Sequence, residues 1–270
     1  MEKAILYKVI QRKLKFRNPN HLIELPKEFI YTIAEYDSAA DYLRTLALHK
    51  INFTYPEKVD YPEEFLKMKE PPLFIEYWGP PLWRDRNLIA VVGSRNMLPL
   101  TEQWLKRHLS EFIETNRVGV VSGGAIGVDQ LSHLIAIKSK APTVFVLPSG
   151  LLNLYPASLN QFKKEFESEN ICFMTEFEIH HKLHKSHFYI RNRLIAALGK
   201  LTLVAQASMK SGSMLTVHHC LEMGKAVSTI PAHPEMHGFD GNLKLLFDGA
   251  YSVRNFSDLH EFWIAECWPN

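Results

Sequence analysis

Residues 88–138 read LIAVVGSRNMLPLTEQWLKRHLSEFIETNRVGVVSGGAIGVDQLSHLIAIK, and this stretch decides the fold. Two β-rich apolar runs, LIAVV and VGVV, are separated by a segment of helical spacing from Leu100 to Asn116. A second helical segment, Val128 to Lys138, follows directly. The same rhythm continues along the chain through TVFVL, ICFM, LTLVA and AVSTI, with further helices expected over Phe188 to Leu198 and Ser213 to Met223. Short strands alternating with amphipathic helices predict an α/β fold, Rossmann-like and doubly wound, with a mostly parallel sheet covered by helices on both faces.

Working outward, the chain before about Lys50 has helical spacing of mixed apolar and charged residues, and reads as a small helical preamble. Six prolines between Tyr55 and Pro81 (Pro56, Pro62, Pro71, Pro72, Pro80 and Pro81) exclude long regular elements there and mark a lead-in to the first strand.

At 270 residues and 46% apolar, the chain is long enough to bury a full α/β core. No run has the length of a membrane helix, and the apolar residues of MEKAILYKVIQRKLKFRN are interleaved with lysine and arginine instead of forming a signal-peptide core. A cytoplasmic location follows as the expectation. Cys172, Cys220 and Cys267 are too few and too far apart for a disulfide framework or a cysteine zinc site.

The formal net charge of +2 conceals a sorted distribution. Ile179 to Leu221 holds no Asp or Glu but six cations, Lys182, Lys185, Arg191, Arg193, Lys200 and Lys210. A second basic stretch runs from Lys3 to Arg17. Either could be a solvated face, or an electrostatic footprint for a polyanion.

In an open doubly wound sheet, ligands bind beyond the carboxyl ends of the strands. Gly93, Ser94 and Arg95 follow the first run and combine backbone access, a hydroxyl and a planar fork suited to phosphate. After the second run, Gly123 and Gly124 lead into a helix whose free amides favour an anion. Arg191 and Arg193 fall near the start of a helix, where they oppose its dipole and an anionic partner would relieve the cost. Phe188 beside them suits stacking on unpaired bases or, equally, a place in the core. Ser211, Gly212 and Ser213 open another helix after a strand, as a ligand site or as a simple cap. His180, His181, His184 and His187 lack an HExxH pattern and a third ligand, so no metal is expected. The glycine spacing is not GxGxxG and no GxxxxGK[ST] occurs, so no dinucleotide or ATP cofactor is expected.

In order and spacing, VVGSRN, VVSGGAIGVDQLSH, PSGLLNLYP, MTEFE, FYIRNRLIAALG, SGSMLT and DGNLKLLFDGA resemble the DNA-processing protein A (DprA/Smf) family, and YPEEFLKMKEPPLFIEYWG resembles its lead-in. The resemblance implies a Rossmann-like fold and a non-enzymatic protein that binds single-stranded DNA. It further implies a homodimer that protects incoming DNA and loads the RecA recombinase in natural transformation. Carried onto matching positions, it points to Ser94, Arg95, Gly123, Gly124, Arg191, Asn192, Arg193, Ser211, Gly212 and Ser213 as pocket or DNA-facing residues. Gly93, Lys185 and Phe188 join them on physical grounds. Ile126, Gln206 and Ala232 depart from the family pattern, which commonly has Arg, Glu and Gly there. The expected organisation is a helical segment over 1–54 and a Rossmann-like DNA-binding domain over 55–270, a short form without the winged-helix domain of many members. The alternatives are a nucleoside-monophosphate phosphoribohydrolase, whose PGGxGTxxE signature is missing, and a nucleotide-sensing module.

Overall fold

The computed structural model describes residues 1–14, 30–84, 87–165 and 169–267. Two helices, α1 (Glu2–Leu14) and α2 (Ile33–Leu48), precede strand β1 (Asn52–Thr54), the short helix α3 (Glu63–Leu66) and strand β2 (Ile75–Trp78). The alternating region then runs β3 (Leu88–Val92), α4 (Pro99–Trp104), α5 (Ser110–Asn116), β4 (Gly119–Ser122), α6 (Val128–Lys138), β5 (Thr143–Val146) and β6 (Ile171–Thr175). It continues with α7 (His187–Leu198), β7 (Thr202–Val204), α8 (Gly212–Glu222), β8 (Val227–Thr229), α9 (Asp240–Phe247), β9 (Tyr251–Ser252) and α10 (Phe256–Cys267). A π-helical turn, Leu105–Leu109, joins α4 to α5, so the expected single helix from Leu100 to Asn116 is one continuous rod with an over-wide turn.

Among the described residues the strands form one sheet in the order β1-β2-β6-β5-β4-β3-β7-β8-β9. Every neighbour pair from β6 to β9 is parallel, while β1 with β2 and β2 with β6 are antiparallel. The expected doubly wound, mostly parallel sheet is present. From β3 the chain winds outward one way through β4, β5 and β6, then returns to β7 on the other side. The strand order therefore reverses between β3 and β7, and a crevice opens at that switch point.

Alternate residues of the central strands feed opposite cores, as a two-residue period requires. Ala90, Val92, Val121, Val144 and Val204 pack under α7 and α8 with Leu194, Leu198, Val217 and Cys220. Ile89, Val91, Val120 and Leu203 pack on the other face with Leu105, Leu109, Phe112, Val128 and Trp263. Each such side chain contributes about 1.5–3 kcal/mol when fully buried.

Two strands form inside and beside the proline-rich passage that read only as a lead-in. Four residues, Ile75–Trp78, suffice because β2 is held by ladders to both β1 and β6. The basic stretch at the amino terminus is also not a free cationic face. Lys8 is fully buried, with Nζ 2.9 Å from Glu76 Oε1, and Tyr42 donates to the same oxygen at 2.6 Å. Lys3 pairs with Glu57, Arg12 with Glu178 and Lys13 with Glu35. Lys15 and Arg17 lie outside the described residues. These pairs fasten α1 to β2, to α2 and to the loops after β1 and β6, and Ala4, Ile5, Tyr7 and Ile10 share a core with Phe145 and Phe173.

Candidate nucleic-acid interface

The crevice at the switch point has a volume of about 530 Å³. Its walls come from the segments after β3 and β7 and from the first turns of α7 and α8. Nine of the expected residues line it: Gly93, Ser94, Arg95, Phe188, Arg191, Asn192, Ser211, Gly212 and Ser213. The two strand ends are tied together by the Ser94 amide, which donates to Gln206 O at 2.7 Å, and the start of α6 is tied to the β3 end by Val128 N donating to Ser94 O at 3.1 Å. Gly127 has φ +90°, and a Cβ there would overlap the carbonyls of Ser94 and Arg95, so only glycine lets α6 start this close to the β3 end.

Arg95 stands exposed at the mouth, with its guanidinium carbon 5.5 Å from the Phe188 ring centre and no ion pair among the described residues. Lys185 is likewise exposed, on the turn before α7, outside the crevice lining. On the opposite wall Ser211 is the N-cap of α8, yet its hydroxyl makes no capping bond and is buried without a partner. The free amides of that helix start and an uncommitted arginine face one cavity, an arrangement that favours an anion.

Arg191 has a different role from the one its sequence position suggested. It is 4% exposed, and Nη1 donates to Gly123 O at 2.6 Å and to Val146 O at 2.5 Å, while Nε donates to Asn192 Oδ1 at 3.0 Å. Burial pulls its pKa down to about 10, opposed by the Asp129 carboxylate and assisted by Arg95, so it stays charged at neutral pH. A Cβ at Gly123 would overlap the guanidinium, which explains the glycine. Arg191 thus ties the ends of β4 and β5 together from inside.

The glycine loop is also occupied from within. The Asp129 carboxylate accepts from the amides of Gly123 at 3.2 Å and Ala125 at 3.4 Å. Burial raises the pKa of Asp129, and Arg191 together with these amides opposes the rise. The anion cradled by Gly123 and its neighbours is therefore the protein's own carboxylate. Gly123 reaches only a small notch beside the crevice, and Gly124, with φ +68°, lines neither space.

Arg193 is separated from the crevice altogether. Two residues beyond Arg191 on a helix, it points about 200° away. There it lines a second cavity with Gln11, Glu176, Tyr189 and His219, and Nη2 donates to Glu176 Oε2 at 2.5 Å. The counter-ions expected from a partner are supplied internally, by Asp129 and Glu176.

The histidines of the loop before α7 form a ring cluster. His187 packs 4.4 Å from Phe177 and 4.8 Å from His181, and its Nδ1 accepts the His184 amide at 3.1 Å. Burial, then His181 and His184, lower the pKa of His187. Among the described residues no group of three side chains is placed to hold a metal.

Asn96, Ser208, Thr216, His237 and Gly238 also line the crevice and were not among the expected site residues, while Gln206, noted in the sequence only as a departure from the family pattern, lines it as well. Gln206 Oε1 accepts from Leu98 N and from Thr101 Oγ1, both at 2.8 Å, and so fixes the turn that carries Arg95. Applying the strand-end rule to β8 as well as to the earlier strands would have pointed to the loop holding His237 and Gly238.

The chain is an open, doubly wound α/β protein of Rossmann-like fold, a class whose ligands bind in the crevice beyond the strand ends at the switch point. The model of the family described as DNA recombination-mediator protein A matches residues 52–264, and the chain belongs to that family. It is 32% identical over 173 residues to DNA processing protein DprA of Bacillus subtilis, covering 64% of this chain and 58% of that protein. It is 28% identical over 211 residues to Protein Smf of a Synechocystis strain, covering 77% of this chain and 52% of that protein. The chain thus spans little more than half the length of these two relatives. Among solved structures, DprA from Streptococcus pneumoniae shares the fold with a TM-score of 0.73 at 23% identity, over 96% of this chain and 93% of the other. DprA from Helicobacter pylori, whose structure was described for its unique single-stranded DNA binding mode, aligns with a TM-score of 0.70 at 26% identity, over 80% of this chain and 97% of the other. No helix among the described residues is long and apolar enough to cross a membrane.

Proposed function

We propose that this protein binds single-stranded DNA in the switch-point crevice and mediates recombination by passing the strand to a RecA-type recombinase, without itself performing chemistry. The observation that carries the reading is Arg95: an exposed guanidinium without an ionic partner among the described residues, at the mouth of a crevice into which the start of α8 opens. Phosphate is the ligand that a planar fork and free helix amides share. The H. pylori relative, described as a single-stranded DNA binder, supports the nucleic-acid form of that ligand. In the acid-free segment from Ile179 to Leu221, Lys182, Lys185 and Lys210 stay exposed and make no ion pair among the described residues, so they are free to attract a polyanion. Asp129, the carboxylate lining the crevice, is committed to backbone amides and serves loop geometry.

As a homodimer in the cytoplasm, the protein would hold incoming DNA and offer it for filament assembly. A mobility-shift titration with oligo(dT) tests the first step. Saturable binding that a mononucleotide does not displace is expected, and displacement by mononucleotide at equal concentration would move the assignment to a nucleotide-sensing module. A nucleation assay, with RecA competing against a single-strand-binding protein, tests the second step. Faster nucleation on addition of the protein is expected, and an unchanged rate removes the mediator role.

A further inference from the structure

Past Arg95 and Phe188 the crevice continues into a small notch completed by Ala125, Ile126, Tyr155 and Pro156. Its two large apolar side chains face water, Ile126 at 56% exposure and Tyr155 at 38%. Phe188, by contrast, already has company. The guanidinium carbons of Arg95 and Arg191 lie 5.5 and 5.8 Å from its ring centre, and the Tyr155 ring meets it edge-on at 6.0 Å. Phe188 thus already neighbours three side chains, whereas the rim of the notch is open to solvent.

We infer that Tyr155 and Ile126 form a second nucleobase subsite, in which an unpaired base lies on the Tyr155 ring against Ile126 while its phosphate is held at Arg95. This rests on the proposed reading of the crevice and adds a ligand position to it. Arg95 borders both the crevice and the notch, so a phosphate held there joins a nucleotide on one side to a base on the other. Every base has a π-face, so an aromatic platform beside a phosphate site binds without regard to sequence. Ile126 adds apolar contact and no charge, so the subsite contributes affinity that salt does not screen.

Binding of oligo(dT) in which one abasic residue is moved along the strand tests this, with wild type, Tyr155→Ala and Ile126→Ser compared. Wild type is expected to show a position where loss of the base weakens binding about tenfold, equivalent to about 1.4 kcal/mol. Tyr155→Ala is expected to weaken binding of the intact strand by a similar factor, to erase that position's sensitivity and to leave the salt slope unchanged. Tyr155→Phe is expected to behave as wild type. Ile126→Ser, at a site too exposed to affect folding, is expected to reduce the same sensitivity by a smaller factor. If both variants keep the wild-type abasic profile while Arg95→Ala loses affinity, the subsite is wrong and the crevice reading stands. If wild type holds no oligonucleotide, both fall.

Discussion

Arg191 and Arg193 are two residues apart on the same helix, yet the fold gives them opposite surroundings. Arg191 is turned into the sheet, where it binds the carbonyls of Gly123 and Val146 beside the buried Asp129. Arg193 is turned toward α1 and pairs with Glu176 at the wall of a separate cavity. Neither resembles Arg95, which stands on a loop, exposed and without an ion pair among the described residues. The two guanidinium groups that are close in sequence are thus both held by partners inside the fold, and the proposed ligand contact falls to the exposed Arg95; burial, not sequence proximity, separates the two roles.

The largest expected effect follows from breaking the inner contact. Arg191→Ala strands Asp129 and two strand-end carbonyls in the interior, and removal of one partner of a buried pair costs about 3–5 kcal/mol. Thermal unfolding should show a large loss of Tm; a variant of wild-type stability that merely binds DNA less tightly would make Arg191 a direct ligand. Next comes Arg193→Ala, which leaves Glu176 buried with a pKa already raised by burial. A loss of about 1–3 kcal/mol is expected, the cost of an unsatisfied buried group, with oligo(dT) affinity of the folded variant unchanged. Reduced affinity in that variant would bring Arg193 back to the DNA path.

A third prediction concerns pH. His133, buried on the inner side of α6 with Nδ1 2.7 Å from Thr143 Oγ1, has its pKa pulled down to about 3 by burial and then by Arg191. A depressed histidine pKa means the unfolded chain binds the proton more readily. Stability is therefore full above about pH 6.5 and falls as pH drops from there toward 3. Between pH 6.5 and 5 the loss amounts to about 2 kcal/mol, on the order of 1.4 kcal/mol per pH unit. Urea midpoints at the two pH values measure it, and His133→Gln should flatten the difference. An equal slope in that variant would locate the acid sensitivity elsewhere.

Much of this architecture was legible in the sequence. The six apolar runs mark strands β3 to β8, and Val128–Lys138 is a helix with the expected ends, because uninterrupted periodicity and glycine punctuation act locally. The strand-end rule also found nine of the residues that line the crevice. What it could not give was direction. Arg191, Arg193 and the SGGAIG loop look like free cations and a free anion cradle until the fold turns the neighbouring Asp129 back onto the loop amides and brings Glu176 to Arg193. The antiparallel strands β1 and β2 were illegible for a related reason: at three and four residues they have little pattern of their own and exist through their ladders. Tyr155 and Ile126 were read as part of a motif and as a departure from it, and only the fold puts them side by side.

The claim that the crevice meets a strand through Arg95 is tested most directly by the salt dependence of oligo(dT) binding in Arg95→Ala. Because Arg95 is exposed and makes no ion pair among the described residues, the variant should unfold within about 0.5 kcal/mol of wild type. Its affinity should fall, and the slope of log affinity against log salt should shrink by about 0.7, the contribution of one phosphate on a single strand. A wild-type slope and affinity in a fully folded Arg95→Ala protein would contradict the account.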